Sequence, residues 1–200
     1  MTTVRTTRAL TAMTALVGIT LTVGLVGLPS AAWAQTASPP VVATDITAAE
    51  VQSVIAYPTG GADRLMKAVD MGRYNVGVGV LRRGPTKPGA PVGAIMHEKI
   101  TEVYYVVSGS GTLLTGGVVV NVTPSPSDSE IVKVAVGPSN TGTFKEPAQR
   151  RKVSAGDIVI IPPGVFHGFD EVTTSIEYVA VRPDPEHVLP AGWVHPAIKK

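Results

Sequence analysis

The chain has no cysteine among its 200 residues. That absence excludes disulfide stapling, thiolate nucleophiles and cysteine-held metals, so any metal must be bound by His, Asp or Glu. Charge is also sparse: Asp, Glu, Lys and Arg make up 16% of the chain against 44% hydrophobic residues, and aromatics only 5%. A formal net charge of +2 leaves no basic excess of the kind that holds a phosphate backbone, so nucleic acid is not expected as a partner. Helical patterning is scarce as well. What remains is a chain rich in valine, glycine and proline, long enough to bury one core.

Part of the apolar excess sits at the start. Arg5 and Arg8 precede an uncharged run from Ala9 to Leu28, Pro29 breaks it, and Ala32-Trp33-Ala34 offers the small residues that a signal peptidase reads. Residues 1–34 are therefore expected to be a secretory signal cleaved before Gln35, giving a secreted or periplasmic protein with no stable membrane span after cleavage. An uncleaved anchor is the rival reading, since this run could just cross a bilayer. Loss of Arg5 and Arg8 leaves fifteen basic and fifteen acidic residues, a formally neutral mature chain.

Residues 35–62 read as a proline-containing lead-in with one short helix from about Ala48, because Thr47 and Glu50 have capping-box spacing. In residues 63–183 the period changes to two: "NVGVGVLRRG", "EVYYVVSG", "DIVIIPPG" and "SIEYVAVRP" alternate, each bounded by turn residues. Many short strands punctuated by Gly and Pro describe an antiparallel sandwich or barrel. Residues 124–150 read as a surface excursion in which "EIVKVAV" forms one more strand. Asn121-Val122-Thr123 is formally a glycosylation sequon with nothing else to support its use. The tail, 184–200, is expected to pack Val188, Leu189 and Trp193 across an opening or flank of the barrel.

Two spacings stand out. Gly89 is followed after five residues by Ile95, then His97, Glu102 and Gly109; Gly156 is followed after five residues by Pro162, then Gly164, His167 and Glu171. The pair resembles the signature motifs of the cupin superfamily, G-x5-H-x-H-x3,4-E-x6-G and G-x5-P-x-G-x2-H-x3-N. The resemblance implies an all-β, double-stranded β-helix (jelly-roll) cupin barrel, here with a short N-terminal helix, and a divalent metal ion inside it. Carried over by position, His97, Glu102 and His167 are the implied metal ligands. Ile95 replaces the first histidine of the first motif, and Glu171 replaces the closing asparagine of the second. The implied ion is Fe or Mn, with Zn or Ni as alternatives. Family analogy also allows a homodimer paired through a sheet.

The residue types agree with that reading. Two imidazoles and one carboxylate suit a first-row divalent cation and leave coordination positions open for water, dioxygen or substrate. Tyr104 shares the parity of Glu102 and is the candidate catalytic group, as hydrogen-bond donor or acid; a core tyrosine with a wet hydroxyl is the bland reading. One of Arg82 and Arg83 should face inward, where it would favour a carboxylate-bearing substrate, while a plain surface pair is the default. Phe169 and Val165 share the parity of His167 and should line an apolar wall. Lys99 is placed at the rim, and His187 and His195 away from the site. The functional expectation is a metal-dependent enzyme of dioxygenase type acting on a small organic molecule. A cupin isomerase or lyase, a non-catalytic small-molecule binder and an envelope-associated interaction module are the alternatives.

Overall fold

The structure is a computed structural model and describes residues 42–198. The signal segment lies outside the described residues. Among those described, no helix is long and apolar enough to cross a membrane.

Helix α1 (Ala48–Ile55) forms where the capping box predicts it. Thr47 Oγ1 accepts from Glu50 N at 3.2 Å, and Glu50 Oε2 accepts in return from Thr47 N at 2.7 Å. Such a reciprocal cap stabilises a helix start by about 1 kcal/mol. The helix buries Val54 against Met66 and Val80, and Ile198 from the C-terminal end joins the same cluster.

The eight strands are β1 (Asp63–Asp70), β2 (Asn75–Arg83), β3 (Gly93–His97), β4 (Glu102–Pro124), β5 (Ser139–Ser154), β6 (Ile158–Ile161), β7 (His167–Asp170) and β8 (Ile176–Asp184). All pairings are antiparallel, in the order β1-β2-β8-β4-β5-β3-β7, with β6 and β7 also pairing on β4. Long β4 is the spine. Its first half pairs with β8 and β6, while its middle carries β5 on one side and β7 on the other, so the sheet rolls on itself. At the handover Gly109 has φ +74, and a Cβ there would sit 2.0 Å from the Ser175 carbonyl oxygen. No side chain fits at that corner.

Alternation fills the interior. Along β8, Ile176, Tyr178, Ala180, Arg182 and Asp184 are buried and the intervening residues less so. The main core joins Tyr178 and Tyr104 to Leu81, Leu113, Ile161 and Phe169. Each of these fully buried large side chains contributes about 1.5–3 kcal/mol of hydrophobic stabilisation. Phe169 belongs to this core and half-buried Val165 packs on it, as their parity with His167 predicts. A second cluster lies at one flank, where Leu189 is buried with Leu65 and Ile100 and the tail residues Val188 and Trp193 pack over them. This is the flank placement expected of the tail.

Two expectations about residues 124–150 are corrected. The excursion is confined to residues 125–138, because β5 begins at Ser139 and residues 140–150 pair with β4 as a long ribbon. Within it, "EIVKVAV" is not a strand. Residues Val132–Val136 form a π-type helical turn, closed by Gly137 N donating to Val132 O at 3.0 Å. The buried residues Val132, Ala135 and Val136 have helical spacing, which three valines disguised as β pattern.

Candidate metal centre

His97 ends β3, Glu102 opens β4 and His167 opens β7. All three are buried, and one ligand atom from each lies within 4.8 Å of the others. Local chemistry places them. The turn after β6 ties to the end of β3 through Gly164 N, which donates to His97 O at 2.8 Å. Ile95 then pairs directly with His167 across β3 and β7. That approach requires glycine at 168, since a Cβ there would meet the Gly93 carbonyl oxygen at 2.2 Å.

The hydrogen bonds fix the imidazole tautomers. Ser139 Oγ donates to the Gly137 carbonyl at 2.9 Å, so towards His97 Nδ1, 2.8 Å away, it can only accept. His167 Nδ1 lies 3.0 Å from the Val165 carbonyl, which is likewise an acceptor. Both Nδ1 atoms therefore carry the proton, and both Nε2 atoms present a lone pair. Those lone pairs face the same carboxylate oxygen, Glu102 Oε2, at 3.4 Å from His97 and 3.1 Å from His167. Acceptor meets acceptor, and His167 Nε2, buried, has no hydrogen-bond partner. Burial pushes the His97 pKa down against the opposing pull of Glu102, which keeps this imidazole neutral and ligand-competent. An orphaned buried nitrogen, a second nitrogen lone pair and a carboxylate oxygen converging on one point fit a divalent cation of the first transition row.

Two further groups hold Glu102. Tyr104 donates its hydroxyl proton to Oε2 at 2.6 Å, and Arg182 donates from Nε to Oε1 at 2.8 Å. Arg182 is fully buried and bridges Glu102 to Asp63. Burial alone would raise the Glu102 pKa, but the Arg182 guanidinium outweighs it and holds the carboxyl well below its ordinary value. Burial and the Glu102 charge push the Tyr104 phenol well above its ordinary value. Tyr104 thus stays protonated and orients the carboxylate.

Beside these groups is a cavity of about 160 Å³ whose walls include His97, His167, Tyr104, Ile95, Asp63 and Arg83. Ile95 offers an apolar surface where the family motif has a histidine. A larger hollow of about 400 Å³ shares Asp63 and Ile131 with it and contains His195. Of the arginine pair, Arg82 is exposed and paired with Glu177 at 3.2 Å, while Arg83 turns inward. Glu171 is an exposed loop residue that accepts from Thr112 and lies outside the cluster. Lys99 pairs at the surface with Glu186 at 2.6 Å, His195 stacks edge-on against Tyr57, and His187 is exposed. Sequence reasoning missed Arg182, Asp63 and Ser139. Arg182 had a signal, its shared parity with Tyr178 and Ala180 on an apolar strand; the other two had none.

No family model matches the sequence, and no curated protein matches it. Solved structures do. The protein BH2720 of Bacillus halodurans is 14% identical, with 79% of this chain and 92% of that one covered and a TM-score of 0.45. An uncharacterised protein of Klebsiella pneumoniae with a double-stranded β-helix domain is 17% identical, with 72% and 93% covered and a TM-score of 0.41. An RmlC-like cupin family protein of Methanocaldococcus jannaschii is 13% identical, with 65% and 88% covered and a TM-score of 0.36. With its rolled antiparallel pairing and two glycine-framed motifs that meet around His97, Glu102 and His167, this chain folds as a double-stranded β-helix.

Proposed function

We propose that this protein is a secreted or periplasmic cupin that holds a divalent metal ion through His97, Glu102 and His167 and acts as a metal-dependent enzyme of dioxygenase type on a small organic substrate. The observation that carries the proposal is the convergence of two Nε2 lone pairs on Glu102 Oε2 inside a closed sheet. When bound, Fe(II) or Mn(II), with Zn(II) or Ni(II) as alternatives, would supply Lewis acidity and open coordination positions. The chain's own residues do the rest. Ser139 and the Val165 carbonyl fix the imidazoles, Arg182 and Tyr104 fix the carboxylate, and the cavity beside them offers room for a small molecule.

The test is metal content of the purified protein, with His97→Ala and His167→Ala alongside, followed by oxygen uptake on a panel of small organic acids and alcohols. Near-stoichiometric metal that falls at least tenfold in both variants, with oxygen consumption, is expected. Metal-free wild type that also refuses added Fe(II) or Mn(II) sinks the proposal. One observation favours a second reading, a non-catalytic small-molecule binder: the Arg182 guanidinium already pairs with Glu102 without a metal ion. Thermal stabilisation by small ligands in the absence of metal supports that alternative.

The proposal includes a homodimer paired through the outer sheet face. Tyr105 and Val107 of β4 and Ile158 and Ile160 of β6 are all exposed there, with no charge among them, and β6 has no second neighbour among the described residues. Sedimentation at micromolar concentration reads the mass directly, and a monomer removes this part.

A further inference from the structure

The acids and bases around the small cavity do not pair one to one. Arg182 takes both carboxylates, Glu102 and Asp63. Arg83, the other arginine in the wall, has no carboxylate within ion-pair distance among the described residues. Its Nε donates to the Tyr178 hydroxyl at 2.8 Å, and its guanidinium lies over the Phe169 ring, 5.6 Å from the centroid. A neutral phenol and a ring face fix the plane of the guanidinium without cancelling its charge. Its two Nη groups make no hydrogen bond within the described chain, in a half-buried position where an uncompensated charge is costly.

We infer that Arg83 is the anchor for a carboxylate on the ligand of this cavity, and that the ligand is a small organic acid. This deepens the reading of the cavity as a small-molecule site and rests on it. A guanidinium held in one plane matches a planar carboxylate through two parallel N–H···O bonds, which a neutral alcohol or amide cannot reproduce. Volume sets the size. A cavity of about 160 Å³ is comparable to one that accepts benzene, about 150 Å³ and six heavy atoms. Of the other lining residues, Ile95, Leu81, Ile131 and Ala62 suit a short apolar body, while the Asp63 carboxylate in the same wall is held by Arg182. The carboxylate end is thereby set against Arg83, with the rest of the molecule lying towards His97 and His167.

The experiment titrates the purified protein by calorimetry with pyruvate, its neutral isostere pyruvamide, and inorganic phosphate. Each titration is run after EDTA treatment and again with Mn(II). Wild type is expected to prefer pyruvate over both competitors by at least tenfold. Arg83→Gln should erase that preference, Arg83→Lys should weaken pyruvate at least threefold, and Arg82→Gln, on the outer face, should change nothing. Pyruvamide or phosphate binding as tightly as pyruvate overturns the inference, as does pyruvate affinity that is undetectable or unchanged in Arg83→Lys. Because the wild-type comparison needs no variant, a misfolded Arg83→Gln does not shelter the idea. The two proposals fail separately. Charge-selective, Arg83-dependent binding with no uptake of Mn(II) removes only the metal reading; Mn(II) uptake without carboxylate preference removes only this one.

Discussion

Arg182 and Glu102 lie side by side on β8 and β4, both buried, with Nε and Nη2 of the arginine each 2.8 Å from the same carboxylate oxygen. The same Nη2 also donates to Asp63 Oδ2. One buried cation therefore holds two acids, and removing it strands both. Breaking a buried pair from one side costs about 3–5 kcal/mol, because the orphaned charge stays in a medium that solvates it poorly. Arg182→Met is expected to lower unfolding free energy by about that amount, measured by urea denaturation of the metal-free protein. A loss below about 1 kcal/mol, the scale of a surface pair, would mean that water reaches this pair.

A separate expectation concerns Tyr104. Its hydroxyl donates to Glu102 Oε2, the oxygen that both histidines face. As a positioning residue, Tyr104 would be replaced by phenylalanine at a cost in metal affinity, about 10–100-fold for a group that orients a ligand. A competition titration against a chelating dye measures it. As a proton donor to substrate, the same substitution would lower turnover and leave metal affinity unaltered. The raised phenol pKa and the bond to Glu102 favour the first outcome.

These two residues also mark how far the sequence could be read. Tyr104 was legible because β4 alternates cleanly, and so were His97, Glu102 and His167, whose spacing is framed by glycines at fixed turns. The short helix was legible from its capping box at Thr47 and Glu50. Arg182 was not singled out, since a lone arginine near a strand end ordinarily points to solvent, and its partners Glu102 and Asp63 lie 80 and 119 residues away. Ser139 was equally hidden: its role exists only because β5 folds back beside β3 at His97. The turn at Val132–Val136 was misread because β-branched residues carry strand propensity, whereas the flank cluster around Leu189 rewards helical spacing. Pairwise contacts across the rolled sheet, not local pattern, decide these cases.

The acid limb of stability follows from the same cluster. His97 has a pKa lowered from its ordinary value of 6.5, burial being the main cause. Because the unfolded chain takes up that proton more readily, the contribution of His97 is fully present above pH 6.5 and is lost as pH falls through the folded-state value. Glu102 is also depressed, below an ordinary 4.5, so its contribution persists lower and is lost only in stronger acid. Stability of the metal-free protein should therefore decline in two stages on acidification. His97→Gln should flatten the upper stage while leaving the lower one, with a residual slope from His195, whose pKa burial also lowers. Denaturation midpoints at pH 7.5, 6 and 5 check this; an unchanged slope in the variant removes His97 as its source.

The backbone at residue 168 offers the most local test of how the centre is assembled. Gly168 directly follows His167, and β7 approaches β3 there so closely that a Cβ would lie 2.2 Å from the Gly93 carbonyl oxygen and 3.3 Å from the Phe144 ring. Backbone cannot yield as a flexible side chain can, so Gly168→Ala must push β7 away from β3. The Ile95–His167 bridge would open, carrying the imidazole off its place against Glu102. Overpacking of this kind costs about 1–3 kcal/mol, and a displacement of about 1 Å in a ligand position is enough to loosen a metal site. Gly168→Ala should therefore lose metal affinity out of proportion to its loss of stability. Gly156→Ala makes the comparison, since that glycine meets nothing within 4 Å and carries only the strain of φ +95. It should lose stability with metal affinity retained. Equal losses of affinity in the two variants would show that the glycine at 168 serves the sheet alone and that His167 finds its position by other means.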